Sequence, residues 1–182
     1  MSRFYLYFLV VIFIGLGAYY IISSGIYPFA IVNGQIITTY AFEQNYLLTK
    51  IYYQDLVAKR DPEINAEIKG AALDKTIENT LIYQELRQRM GEGAELAVEE
   101  RIVAEIQDKP QLASAVQKIY KIGFDQFKHL VLVPQARMEL LEAELKKEDR
   151  TLEGWLAEKK KSATVKILSR QFRWSGAEVV LR

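Results

Sequence analysis

Ala30-Ile-Val-Asn-Gly-Gln-Ile-Ile-Thr38 is the stretch on which the fold turns. Two short β-branched runs flank Asn33-Gly34, and both of those residues tolerate positive φ, so the pattern predicts a tight β-hairpin. Thr38 or Thr39 can then cap a helix expected over Tyr40–Lys59. Its inward positions are Phe42, Tyr46, Thr49, Tyr53 and Leu56, at spacings of three and four. Leu47, Leu48, Ile51 and Tyr52 widen that stripe beyond what one partner covers.

Downstream, Asp61-Pro62-Glu63 supplies a cap, a proline at the first helical position and an acid in the first turn. The helix it opens should run to about Met90, with Ile64, Ile68, Leu73, Ile77, Leu81 and Tyr83 or Leu86 facing inward, and end at Gly91-Glu-Gly93. A third helix is expected over Val98–Gln107, a fourth from Pro110 to before Gly123, and a fifth from Asp125. In the fifth, Phe124, Phe127, Val131, Pro134, Met138, Leu141 and Leu145 form the seam of a helix packed lengthwise on others. Pro134 cannot donate its amide, so a kink is expected near Leu130 unless the helix breaks there. Thr151 caps a sixth helix through Glu158; Thr164–Leu168 alternates like a strand, and the tail around Phe172, Trp174 and Val179–Leu181 is extended.

Upstream lies a different material. Arg3 is the only charged side chain before Glu43, and Phe4–Ile22 is an uncharged, strongly apolar run of 19 residues. As a helix it would cover roughly 28 Å, the thickness of a bilayer core. Tyr5 and Tyr7 sit at one end and Tyr19, Tyr20 and Tyr27 at the other, where amphipathic rings favour the lipid-water interfaces. The positive-inside bias leaves the N-terminus in the cytoplasm. A cleaved secretory signal shares this plan, with Ile22-Ser23-Ser24-Gly25 as a poor cleavage site, but the length of the run favours an uncleaved anchor. The expected division is an anchor over residues 1–27 and an extracytoplasmic domain over 28–182, in a bacterial inner membrane.

With 182 residues, 24 basic and 23 acidic groups, no cysteine and one histidine, the chain has no basic excess for nucleic acid and no disulfide framework. It also has no thiol nucleophile or lipoprotein cysteine, and no Cys/His metal site. His129 has no second imidazole and reads as a helix-surface side chain. Glu99, Glu100, Glu139, Glu142 and Asp149 read as the wet faces of amphipathic helices, with Lys146 and Lys147 beside them. Gly91-Glu-Gly93 lacks the lysine of a phosphate loop. Lys159-Lys-Lys161 reads as a solvated helix end favoured by the dipole.

In this order the soluble part resembles the N-terminal chaperone domain of the SurA, PpiD and PrsA family of exported foldases. Three stretches carry the resemblance: Ala30–Thr38, the run Leu73-Asp-Lys-Thr-Ile-Glu-Asn-Thr-Leu-Ile-Tyr-Gln-Glu85, and Val98-Glu-Glu-Arg-Ile102 followed by Gly123-Phe-Asp-Gln-Phe127. Trp155-Leu156 and the strand after it are similar to the segment that returns the family's chain to its first strand. Leu96-Ala97 stands where the family usually has a cap, and no parvulin-type isomerase domain fits. The resemblance implies a mainly α fold, with a small antiparallel β element formed from the start and end of the soluble part. It implies a membrane-anchored holdase without catalysis, cofactor or metal. Unfolded or newly exported polypeptide would be its partner, and residues 4–22 would meet lipid. Tyr46, Tyr52, Tyr53, Val131 and Met138 are the candidate peptide-binding residues, tyrosine and methionine supplying adaptable contact. A subunit holding one partner in a membrane assembly is the alternative.

Overall fold

The computed structural model describes residues 2–23, 26–53 and 61–182. It is mainly α, with two small antiparallel sheets. Helix α1 (Ser2–Ser23) is followed by strands β1 (Pro28–Val32) and β2 (Gln35–Thr38), helix α2 (Thr39–Tyr52), and helix α3 (Pro62–Met90). Then come α4 (Gly93–Ile106), α5 (Leu112–Tyr120), the single turn α6 (Phe124–Phe127), a π-helical turn (Lys128–Leu132) and α7 (Val133–Lys146). Helix α8 (Leu152–Ser162) and strands β3 (Val165–Ile167), β4 (Phe172–Trp174) and β5 (Val179–Leu181) complete the chain. Helix α1 coincides with the expected span. Among the described residues, however, no helix is long and apolar enough to cross a membrane.

The hairpin turns at Asn33 (φ 49°) and Gly34 (φ 85°), as the Asn-Gly pair requires. β1 is the centre of a three-stranded sheet, with β2 on one side and the returning β3 on the other. Ala30, Val32, Ile37 and Ile167 share one face of it and are buried. Thr38 caps α2, accepting from the Ala41 amide at 3.1 Å. The expected continuation of that helix to Lys59, with Leu56, lies outside the described residues.

Helix α3 is the axis of the domain. Asp61 caps it, accepting from Glu63 N at 2.8 Å, and Pro62 is its first residue. Ile68, Ala72, Leu73, Ile77, Leu81, Ile82 and Leu86 are buried, while Ile64 and Tyr83 are only half-buried. Thr76 and Thr80, also buried, donate to the Ala72 and Thr76 carbonyls at 2.7 and 2.8 Å, so apolar neighbours can surround the helix without orphaning a hydroxyl.

Three expectations need correction. Helix α4 begins at Gly93, five residues before Val98, because buried Ala94 continues the Val98 and Ile102 stripe back to the glycine turn. Helix α8 runs four residues past Glu158, and Lys159 and Lys160 are not simply solvated: Lys159 pairs with Glu85 at 2.7 Å, and Lys160 with Asp74 at 2.8 Å and Glu78 at 3.1 Å. The third concerns the long helix. In place of a plain kink there is a π turn, in which the Val133 amide donates to the Lys128 carbonyl five residues back, next to Pro134, which has no amide hydrogen to give. The extra residue rotates the downstream face. The core seam passes from Phe127 to Leu132, Ala136, Leu141 and Leu145, while Val131, Pro134 and Met138 are half-buried beside it.

Candidate functional site

The first turns of α2 are tied to the sheet by aromatic stacking. Phe29 lies on Phe42 at 4.2 Å with rings 6° apart, and Phe42 on Tyr46 at 6.2 Å. Lys50 and Lys69 lie within 5.5 Å and 5.4 Å of the Tyr46 ring centre. Burial, reinforced by the Glu43 carboxylate, raises the Tyr46 phenol above the ordinary tyrosine range. Its role is to join α2 to α3.

Beyond Tyr46 the anchoring stops. Leu48 is half-buried, Tyr53 is 41% exposed and Tyr52 is 79% exposed. Their rings meet edge to face at 5.0 Å. Opposite them, the π turn holds Leu130, Val131, Pro134 and Met138 out of the core seam. Between these walls, with α3 beneath, lies an open cavity of about 580 Å³. Tyr120 closes one end and is itself fixed against buried Phe127 at 5.2 Å. Both its volume and its lining suit apolar side chains.

Its polar groups are few. Asn45 donates to the Ala41 carbonyl at 2.9 Å, which leaves its amide oxygen available. Asn79 and Gln135 also line the wall, and Lys75 and Glu139 stand at the margin. Glu139 accepts from Gln135 at 3.0 Å and pairs with Arg101 at 2.6 Å. The Gln135 bond, joined by Arg101, outweighs burial and holds the carboxyl below the usual glutamate range. That carboxylate is already engaged by two partners at the cavity margin. Among the described residues no group of His, Cys, Asp or Glu side chains is arranged to hold a metal ion. His129 is exposed and lines a smaller cavity of about 220 Å³, which shares Asn45, Asn79, Leu130 and Pro134 with the first.

Four of the five residues singled out from sequence, Tyr52, Tyr53, Val131 and Met138, line one cavity. Tyr46 is not among its lining residues. Leu48, Tyr120, Leu130 and Pro134 were not foreseen. For Leu130 and Pro134 the signal was present, since the long helix carries more apolar positions than a single core seam uses, and for Leu48 it lay in the wide apolar stripe of α2.

Residues 1–148 match the SurA-like N-terminal domain. The chain belongs to that family. A domain of this kind points to a chaperone-type function and to unfolded polypeptide as partner, and the comparison detects no catalytic domain beside it. The match includes α1 and stops before α8 and β3, whereas the sequence resemblance runs from about Phe29 to Leu168. No curated protein and no solved structure matches the chain.

Proposed function

We propose that this protein is a membrane-anchored, extracytoplasmic holdase that buries apolar segments of unfolded or newly exported polypeptides in the cavity between α2, α3 and the π turn. The observation that carries the reading is that cavity, walled by Leu130, Val131, Pro134 and Met138 and open beside the exposed Tyr52 and Tyr53. Reversible contact with one or two client side chains at a time gives weak, broad affinity, since little of an extended client is buried and tyrosine and methionine adapt to many shapes. The chain divides into an anchor over 1–27 and an extracytoplasmic domain over 28–182, in a bacterial inner membrane. The 19-residue uncharged run supports the anchor. Anchoring concentrates the cavity where clients emerge, and the chemistry needs no cofactor.

The test is aggregation of several unrelated unfolded proteins, followed by light scattering, with and without the full chain in nanodiscs. Suppression across unrelated clients, weakened several-fold by Tyr52→Ala with Tyr53→Ala, is expected. No protection, together with recovery of one stoichiometric membrane partner after crosslinking, would replace the holdase by a dedicated subunit.

A further inference from the structure

We propose that the outward face of the three-stranded sheet rests on an anionic bilayer surface, so that the domain lies against the membrane instead of hanging free from its anchor. This inference rests on the anchor reading above.

The sheet has two faces. One is the buried face already described. On the other, Ile31 stands directly opposite both Ile36 on β2 and Lys166 on β3, so these three side chains share the outward surface. Ile36 is 57% exposed, and Lys166 is exposed. Leu168 follows two residues after Lys166, on the same side, with its amide bonded to the Phe29 carbonyl at 2.9 Å, and it too is exposed. At the end of β2, the Tyr27 carbonyl accepts the Thr39 amide at 2.9 Å, and the Tyr27 and Tyr40 side chains are exposed. The outward face therefore combines isoleucine and leucine with a lysine whose stem can lie along apolar surface while its ammonium reaches the lipid-water interface.

Charge and covalent reach select the occupant. From Lys159 to the C-terminus the chain carries seven basic residues and one acid, Glu178. Lys159 and Lys160 are neutralised by α3. Among the described residues, Lys161, Lys166, Arg170 and Arg173 have no carboxylate partner. Lys166, which the register places on the outward face, is complementary to anionic headgroups, and the other three follow or precede it closely in the same C-terminal stretch. Only three peptide steps separate Ser23, the last residue of α1, from Ile26, a distance of at most about 11 Å. A sheet beginning at Pro28 cannot stand far from the bilayer that holds α1.

The chain has no native cysteine, so single cysteines report unambiguously. Ile36→Cys, Leu168→Cys, Val103→Cys and Phe13→Cys would each carry an environment-sensitive fluorophore. The full chain would be placed in phosphatidylglycerol nanodiscs containing a headgroup-level nitroxide quencher. Val103 is the control, exposed on α4, which packs on α3 and α7 and not on the sheet. Quenching at 36 and 168 at least threefold above that at 103 is expected. It should fall at least twofold in phosphatidylcholine discs or with Lys166→Glu and Arg173→Glu together. Quenching at 13 by an acyl-chain nitroxide, with none above control at 36 and 168 from the headgroup-level one, would overturn the inference and leave the anchor standing. If position 13 is unquenched by nitroxides at any depth, the anchor reading fails and this inference with it.

Discussion

Helix α3 serves two sides of the molecule in opposite ways. On one side it receives α8 and the C-terminal strands, and the junction is closed. Trp155 is buried, Lys159 and Arg89 both engage Glu85, Lys160 bridges Asp74 and Glu78, and Asp74 also accepts the Val179 amide at 3.2 Å. On the other side α2 and α7 approach the same helix but diverge around a cavity. The difference lies in what fills the space. The closed side has a tryptophan and three cations of matched reach. The open side has a π turn that rotates one row of side chains away from the core and a helix end whose two tyrosines stay in solvent. An open cavity thus arises where packing is left incomplete, and a tightly packed opposite side supplies the stability that this incompleteness costs.

The largest expected effect tests the closed side. Trp155→Ala removes a fully buried ring, and urea denaturation should show a loss of about 4 kcal/mol. A loss below about 1 kcal/mol would mean that α8 is not integral to the core. The next tests the rotated register on the long helix. Leu132→Ala should cost about 3 kcal/mol and Val131→Ala about 1 kcal/mol or less, because only the first removes a buried core side chain. Equal losses would place both residues in one core.

Glu85→Gln addresses the ionic junction. Burial alone would raise this carboxyl, but hydrogen bonds from Lys159 and Arg89 more than offset it and hold its pKa below the ordinary glutamate range. A depressed carboxyl contributes stability that is complete above its unfolded pKa, about 4.3, and is lost as pH falls through the folded value. The variant should therefore lose about 2 kcal/mol at pH 7 and show a shallower decline of urea midpoint below about pH 4. An unchanged acid profile would remove Glu85 from the account. The smallest stability effect belongs to the open side. Tyr52→Ala with Tyr53→Ala should alter stability by about 0.5 kcal/mol or less while weakening client protection several-fold. A large loss of stability would show that the tyrosines are structural.

Much of this was legible in local sequence because the signals are local. Asn33-Gly34 specifies its turn, Asp61-Pro62 its helix start, and Thr38 and Thr151 their caps, each through bonds within a few residues. Tyr52 could be proposed because it widens the α2 stripe past what one neighbour covers, whereas Tyr53, Val131 and Met138 read as inward or seam positions and became candidates only through the chaperone resemblance. Tyr46 was legible as an inward position four residues after Phe42, but its contact with Lys69 was not, since that residue comes from another helix. Nor were the roles of Lys159 and Lys160, whose carboxylates lie some 75 to 85 residues earlier in the chain.

By itself the amino-acid order determined the hairpin, the starts of α2, α3 and α8, the apolar first helix and a proline that denies its helix one hydrogen bond, because backbone sterics and near-neighbour bonding act without reference to the rest of the chain. Only tertiary structure decided how that missing bond was absorbed. Packing of Leu132 and Ala136 into the core favours one extra residue in the turn over a bend, and that choice turns Val131, Pro134 and Met138 toward Tyr52 and Tyr53. Which side of α3 closes and which stays open follows from the volumes and charges that meet across long sequence separations, and no local pattern carries those.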